Sequence, residues 1–167
     1  MGPEFNLRKA THEDLVQINE IYNWAVLNTV ATFDLEERSL ERAERWFESH
    51  LDPYYPLFVV ENQRGVTGWG SLSPFHTRPA YKESGEFSIY IAPEWSGKSM
   101  GDALLETLCK EARKLGYHTL LGLITATNEK SLNLALKHGF FETGKYREVG
   151  KKFEQCLDVI VMQRILA

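Results

Sequence analysis

Gly85-Glu86-Phe87-Ser88-Ile89-Tyr90-Ile91-Ala92-Pro93 runs directly into Glu94-Trp95-Ser96-Gly97-Lys98-Ser99-Met100-Gly101, and no other stretch constrains the fold so tightly. Aromatic and β-branched residues run up to Pro93, which cannot donate to a sheet ladder and so ends a strand. A glycine-containing turn follows. Leu104, Leu108, Ala112 and Leu115 then recur at helical spacing, which predicts a helix starting at Ser99 or Met100. Strand, tight loop and helix N-terminus together make an anion site, because first-turn N–H groups lack partners and the macrodipole adds partial positive charge. Gly97 and Gly101 admit a phosphate close to the backbone, and Lys98 adds a cation. The loop is neither a Walker A sequence nor G-x-G-x-x-G.

Around this unit the chain reads β-α-α-β-β-β-α-β-α-β-β, one mixed α/β domain without repeat or linker. Phe5 to Ala10 reads as the first strand, and Thr11 with Asp14 opens a helix carrying Leu15, Ile18, Tyr22, Ala25 and Val26. Ser39 caps a second helix. Asn62-Gln63-Arg64-Gly65 joins two strands as a hairpin. Gly116 ends the loop helix, Thr119 to Thr125 is an apolar strand, and Asn128 opens a last helix that Gly139 closes. Phe140 to Arg147 and Phe153 to Ile165 read as the final strands.

At 167 residues a full core is expected, and 43% hydrophobic with 25% charged residues is ordinary for a globular chain. A net charge of −4 argues against a general nucleic-acid surface. No apolar run approaches the ~20 residues a membrane span needs, and no signal-peptide pattern opens the chain. Cys109 and Cys156 read as free thiols of a reducing, cytoplasmic compartment, and the five histidines show no metal-ligand spacing. Residues 1–5 read as a cloning remnant, leaving 6–167 as the single domain.

Ser96-Gly97-Lys98-Ser99-Met100-Gly101 resembles the pyrophosphate loop Q/R-x-x-G-x-G/A of the GNAT acetyltransferases, with Ser96 in place of Gln/Arg and Ser99 in place of the middle glycine. Ser99 fits there if its φ is helical. The element order is that of the same fold. Arg78-Pro79-Ala80-Tyr81 followed by the Glu86 strand is similar to the phosphinothricin and methionine sulfoximine acetyltransferase branch. So are Arg147-Glu148-Val149-Gly150-Lys151-Lys152-Phe153, Asn128-Glu129-Lys130-Ser131 and His138-Gly139-Phe140. The resemblance implies a mostly antiparallel sheet, splayed at an acetyl-coenzyme A site and flanked by about four helices. It also implies a homodimer and needs no metal.

The resemblance further implies roles for particular residues. Glu86 is the candidate general base that takes a proton from the attacking amine. A backbone N–H of Ile91 or Tyr90 would hold the oxyanion, with Ile89 on the same cofactor strand. Ser96, Gly97, Lys98, Ser99, Met100 and Gly101 would bind pyrophosphate, and Asn128 the pantetheine, with Lys130 and Lys98 near the phosphates. Arg78 and Tyr81 would recognise an anionic substrate group, Arg through two parallel hydrogen bonds, and Phe33 would wall the pocket. The family's usual acidic Tyr aligns with Ala135, so Tyr146, Tyr90 or water is left to protonate the thiolate. Two other readings stand beside a small-molecule N-acetyltransferase: a GNAT acting on a protein N-terminus or lysine, and a non-catalytic acyl-coenzyme A binding module.

Overall fold

The computed structural model describes residues 4–166. Among them seven strands form one sheet in the order β1-β2-β3-β4-β5-β7-β6. The strands are β1 (Asn6–Lys9), β2 (Leu57–Asn62), β3 (Gly65–Pro74), β4 (Ser84–Ile91), β5 (Thr119–Thr125), β6 (Phe141–Lys152) and β7 (Gln155–Ile165). Four helices flank them: α1 (Leu15–Asn28), α2 (Leu40–Glu48), α3 (Met100–Leu115) and α4 (Glu129–Lys137). Every strand pair is antiparallel except β4 with β5. The mixed α/β domain expected from the element order is the fold observed.

Each face of the sheet has its own core. Leu15, Ile18 and Ile21 of α1 and Ala43 and Phe47 of α2 pack on Leu57, Val59 and Trp69. Leu104, Leu105 and Leu108 of α3 pack on the opposite face, with Phe58, Val60, Leu120 and Ile124. β2 therefore alternates between two cores and is apolar at every position from Leu57 to Val60. Phe5, assigned to the remnant by its sequence context, packs against the α3 core; Met1 to Pro3 lie outside the described residues.

The expected helix ends are realised by named hydrogen bonds. Asp14 accepts from the Thr11 amide at 2.8 Å and from both terminal nitrogens of Arg8, at 2.8 and 2.9 Å. Ser39 Oγ accepts from the Arg42 amide at 3.2 Å, and Asn128 Oδ1 from the Ser131 amide at 3.3 Å. Gly116 closes α3 with φ 86°.

The C-terminal hairpin departs from expectation. β6 runs on to Lys152, through an irregularity between Tyr146 and Gly150. Phe153 is not in a strand. Lys152 pairs with Gln155, and Phe153 and Glu154 form the tight turn between them with φ 51° and 60°. Such two-residue turns need positive φ at both central positions, for which Asn-Gly is the usual signal. Phe-Glu carries no such signal, so the sequence reads through it as strand.

Candidate active site

The ladder between β4 and β5 lasts three rungs, Ser84–Thr119, Gly85–Leu120 and Glu86–Leu121. Beyond it β4 stays with β3 as far as Ile91 opposite Gly68, and β5 stays with β7 as far as Thr125 opposite Val159. The sheet thus opens into a V with its apex at Glu86. A cleft of about 1140 Å³ passes through this gap. One wall is Trp24, Thr29, Ala31, Thr32 and Phe33, from α1 and the loop after it; the other comes from α3 and α4.

Backbone alternation decides which amides face the gap. The Ala92 N–H donates to the Thr67 carbonyl at 2.8 Å, and the β3–β4 register is unbroken from there back to Gly85. Tyr90 and Ser88 therefore point their N–H groups at β3, while those of Ile89 and Ile91 point into the V. Of the two oxyanion donors left open by the sequence, the Tyr90 amide is engaged in the ladder and the Ile91 amide faces the gap. Side chains alternate as well. Phe87, Ile89 and Ile91 pack toward α3, whereas Tyr90 packs among Tyr22, Trp46 and Trp69 on the α1 side. Glu86 and Ser88 share the face of Tyr90.

Glu86 lines the cleft, half-buried. Burial pushes its carboxyl above the usual glutamate range, and no other cause contributes. It is a partly desolvated carboxyl on the cleft wall. Tyr90 also lines the cleft, but its phenol is raised far more, chiefly by burial, and its hydroxyl lies 3.5 Å from the Ala31 carbonyl. Ala135 is fully buried in α4, and Tyr146 lines the cleft with an exposed side chain.

At the open end of the V the chain turns through Pro93–Trp95 into the loop. Gly97 has φ 79°, a conformation open to glycine, and Ser99 has φ 64°. Ser99 is thus left-handed, contrary to the helical φ its sequence position required. Amides of alternating backbone hand form a nest suited to an anion, and the positive φ at Gly97 and Ser99, on either side of Lys98, gives that alternation. The Ser99 carbonyl accepts from Ala103 at 3.1 Å, which leaves the Met100, Gly101 and Asp102 amides at the helix start. Lys130 Nζ donates to Ser96 Oγ at 3.0 Å, and Lys98 Nζ lies 4.4 Å from the Trp95 ring centre. The Lys137 ammonium, 2.7 Å from Asp102, holds that carboxyl below the usual range and offsets its charge beside the loop. Left-handed Ser costs about 1 kcal/mol relative to glycine. Ser99→Gly is therefore expected to raise the melting temperature by a few degrees; a lower value in a thermal melt would mean that the Ser99 side chain is itself stabilising.

The wall formed by α1 and the loop after it is pinned by groups that no motif announced. Lys152 is 4% exposed, and its ammonium donates to the Thr32 carbonyl at 2.8 Å across 120 positions of sequence. Tyr22 donates to Asp34, and Thr125 Oγ1 donates to the Val30 carbonyl at 2.6 Å. Phe33 lies so close over Gly150 that a Cβ there would collide with its ring. These contacts join distant segments, and only a buried lysine, rare without a partner, hints at them. Arg78 and Tyr81 are placed differently. Both are exposed in the loop before β4, with Tyr81 against Phe75 and His76, and neither lines the cleft.

The described residues contain no group of three or more His, Cys, Asp or Glu placed to hold a metal, and none of their helices is long and apolar enough to cross a membrane. A smaller, more open hollow of about 550 Å³ at Lys145, Arg147, Cys156 and Asp158 lies outside the V.

Residues 7–161 match the family model described as an acetyltransferase (GNAT) domain. The L-amino acid N-acyltransferase of Escherichia coli (strain K12) is 35% identical, over 95% of this chain and 92% of that protein. The L-methionine sulfoximine/L-methionine sulfone acetyltransferase of Salmonella typhimurium is 34% identical over 94% of this chain and 92% of its own. A GNAT superfamily phosphinothricin acetyltransferase from Sinorhizobium meliloti, solved in complex with AcCoA, superposes with a TM-score of 0.94 at 35% identity, covering 98% of this chain and 89% of that one.

Proposed function

Since the chain belongs to the GNAT acetyltransferase family, we propose that it acetylates the amino group of a small amino-acid-like substrate such as phosphinothricin, methionine sulfoximine or methionine sulfone. The observation that carries this is the V itself. Free Ile89 and Ile91 amides lie between an anion-binding loop at its open end and the half-buried Glu86 at its apex.

Acetyl-coenzyme A fits the residues present, and when bound it supplies an activated thioester carbonyl. The nest at Ser96–Gly101 with Lys98 and Lys130 would hold its phosphates, and the Asn128 segment its pantetheine. The Ile91 or Ile89 N–H would hold the thioester carbonyl oxygen and the negative charge that gathers there, at no reorganisation cost because the ladder already fixes the strand. Glu86, on the α1 face, takes the amine's proton directly or through one water; its raised pKa brings it toward working pH. The two substrates thus approach from opposite faces of the sheet. Phe33 walls the amine side. No acid is assigned to the leaving thiolate, itself a good leaving group near its pKa.

Names of relatives at about one-third identity support a small amino-acid-like acceptor. Although it does not itself line the cleft, Arg78 sits in the exposed loop that leads into the Glu86 strand, and we read it as the grip on the substrate's anionic group, with Tyr81 beside it. We also read the protein as a cytoplasmic homodimer. The exposed Phe141, Tyr146 and Val149 on edge strand β6 support the dimer, and the free thiols of Cys109 and Cys156 support the reducing compartment.

The test is thiol release from acetyl-coenzyme A across methionine sulfoximine, methionine sulfone, phosphinothricin, free amino acids, simple amines and peptides. Amino-acid analogues are expected to be the best acceptors. Arg78→Ala should raise their KM about tenfold or more with kcat little changed, because an ion pair exists in ground and transition states alike. A preference for peptides, or equal loss on simple amines and amino acids, would overturn this substrate class.

A further inference from the structure

We infer that Phe87 sets the length of the acyl group the enzyme accepts, by closing the apex of the gap between β4 and β5. The inference rests on the acetyl-coenzyme A reading above. Phe87 is the first residue of β4 beyond the last rung shared with β5, and its side chain lines the cleft on the α3 face. Its ring is held on two sides. On one it lies on Gly122, where an added Cβ would fall 2.6 Å from Cε1 and 2.7 Å from Cζ. On the other it meets Phe140 edge-on, centroids 5.0 Å apart, and Phe140 is itself buried. Gly122 is needed for that close approach, and Gly122 and Phe140 flank the ring on two sides.

The anion loop stands at the open end of the V, after Ile91. A chain anchored there and laid along β4 must end toward the apex, since Ile91 to Phe87 is only about 13 Å of strand. A thioester carbonyl held by the Ile89 amide, two residues from Phe87, would direct its acyl substituent toward the space that the Phe87 ring bounds. On this assignment the ring leaves room for a methyl group and little more. Each further methylene must displace it, against both Gly122 and Phe140.

Calorimetric binding of free coenzyme A and of acetyl-, propionyl- and butyryl-coenzyme A tests this without turnover. Wild type is expected to bind the acyl forms progressively more weakly, by about tenfold per added methylene. Phe87→Ala should bind butyryl-coenzyme A at least as tightly as the acetyl form, with free coenzyme A unchanged. Phe87→Leu should fall between, and it serves if the alanine variant does not fold. Gly122→Ala pushes the ring into the gap and should weaken acetyl-coenzyme A relative to coenzyme A, with recovery in Gly122→Ala/Phe87→Leu. The same chain-length order in wild type and the Phe87 variants, with coenzyme A bound normally, overturns the assignment. If wild type does not bind coenzyme A, the cofactor reading itself fails.

Discussion

Glu86→Gln is expected to lower kcat/KM by about 10²-fold near pH 7, the usual worth of a positioned general base. Gln keeps the shape of the side chain but cannot accept the amine's proton. The loss should shrink as pH rises and more of the amine is already neutral. In wild type the acid limb of kcat/KM should lie above the ordinary glutamate range, because burial alone raises the Glu86 carboxyl. The same shift has a consequence for stability. A carboxyl whose folded pKa is raised binds its proton more tightly in the folded state, so its stabilising contribution is full below the unfolded pKa and is lost as pH rises through the folded one. At neutral pH the buried charge weighs against the fold, and Glu86→Gln should melt higher than wild type, an advantage that disappears in acid. Unchanged activity across pH would make Glu86 a surface carboxylate and leave the site without its base.

Gly101→Asp is expected to abolish the thermal stabilisation that acetyl-coenzyme A confers on wild type. That stabilisation should reach about 2.7 kcal/mol at a concentration a hundredfold above Kd. Gly101 opens the first turn of α3, and an added Cβ would meet only Leu134 Cδ2, at 3.3 Å. The fold therefore has room for a side chain there with a small adjustment, and a carboxylate at a helix N-terminus does not destabilise the helix. A carboxylate amid the amides of the nest excludes phosphate by charge. Gly101→Ala separates charge from bulk and should keep most of the ligand-induced shift. If the aspartate variant shows the wild-type shift, the pyrophosphate is not at this loop.

Sequence periodicity sufficed for the element order and for the strand–loop–helix that carries the site, because burial on one face and helix capping leave local marks. Pro93 after β4, Gly116 after α3 and Asn128 before α4 are such marks, and each stands at the boundary it predicts. Resemblance extended this to Glu86 as a candidate base. Contacts between distant segments left no comparable mark. Nothing adjacent to Phe153 or Ser99 announces positive φ, because the surrounding structure imposes it. Whether Ile91 or Tyr90 offers its amide depends on register with β3, fixed by the Ala92–Thr67 hydrogen bond. The wall at Thr32 depends on a lysine 120 residues away. The apex depends on Gly122 making room for Phe87, where β4 and β5 have just separated after their rung at Glu86. Each of these is a property of two segments meeting, and local sequence reports only on one segment at a time.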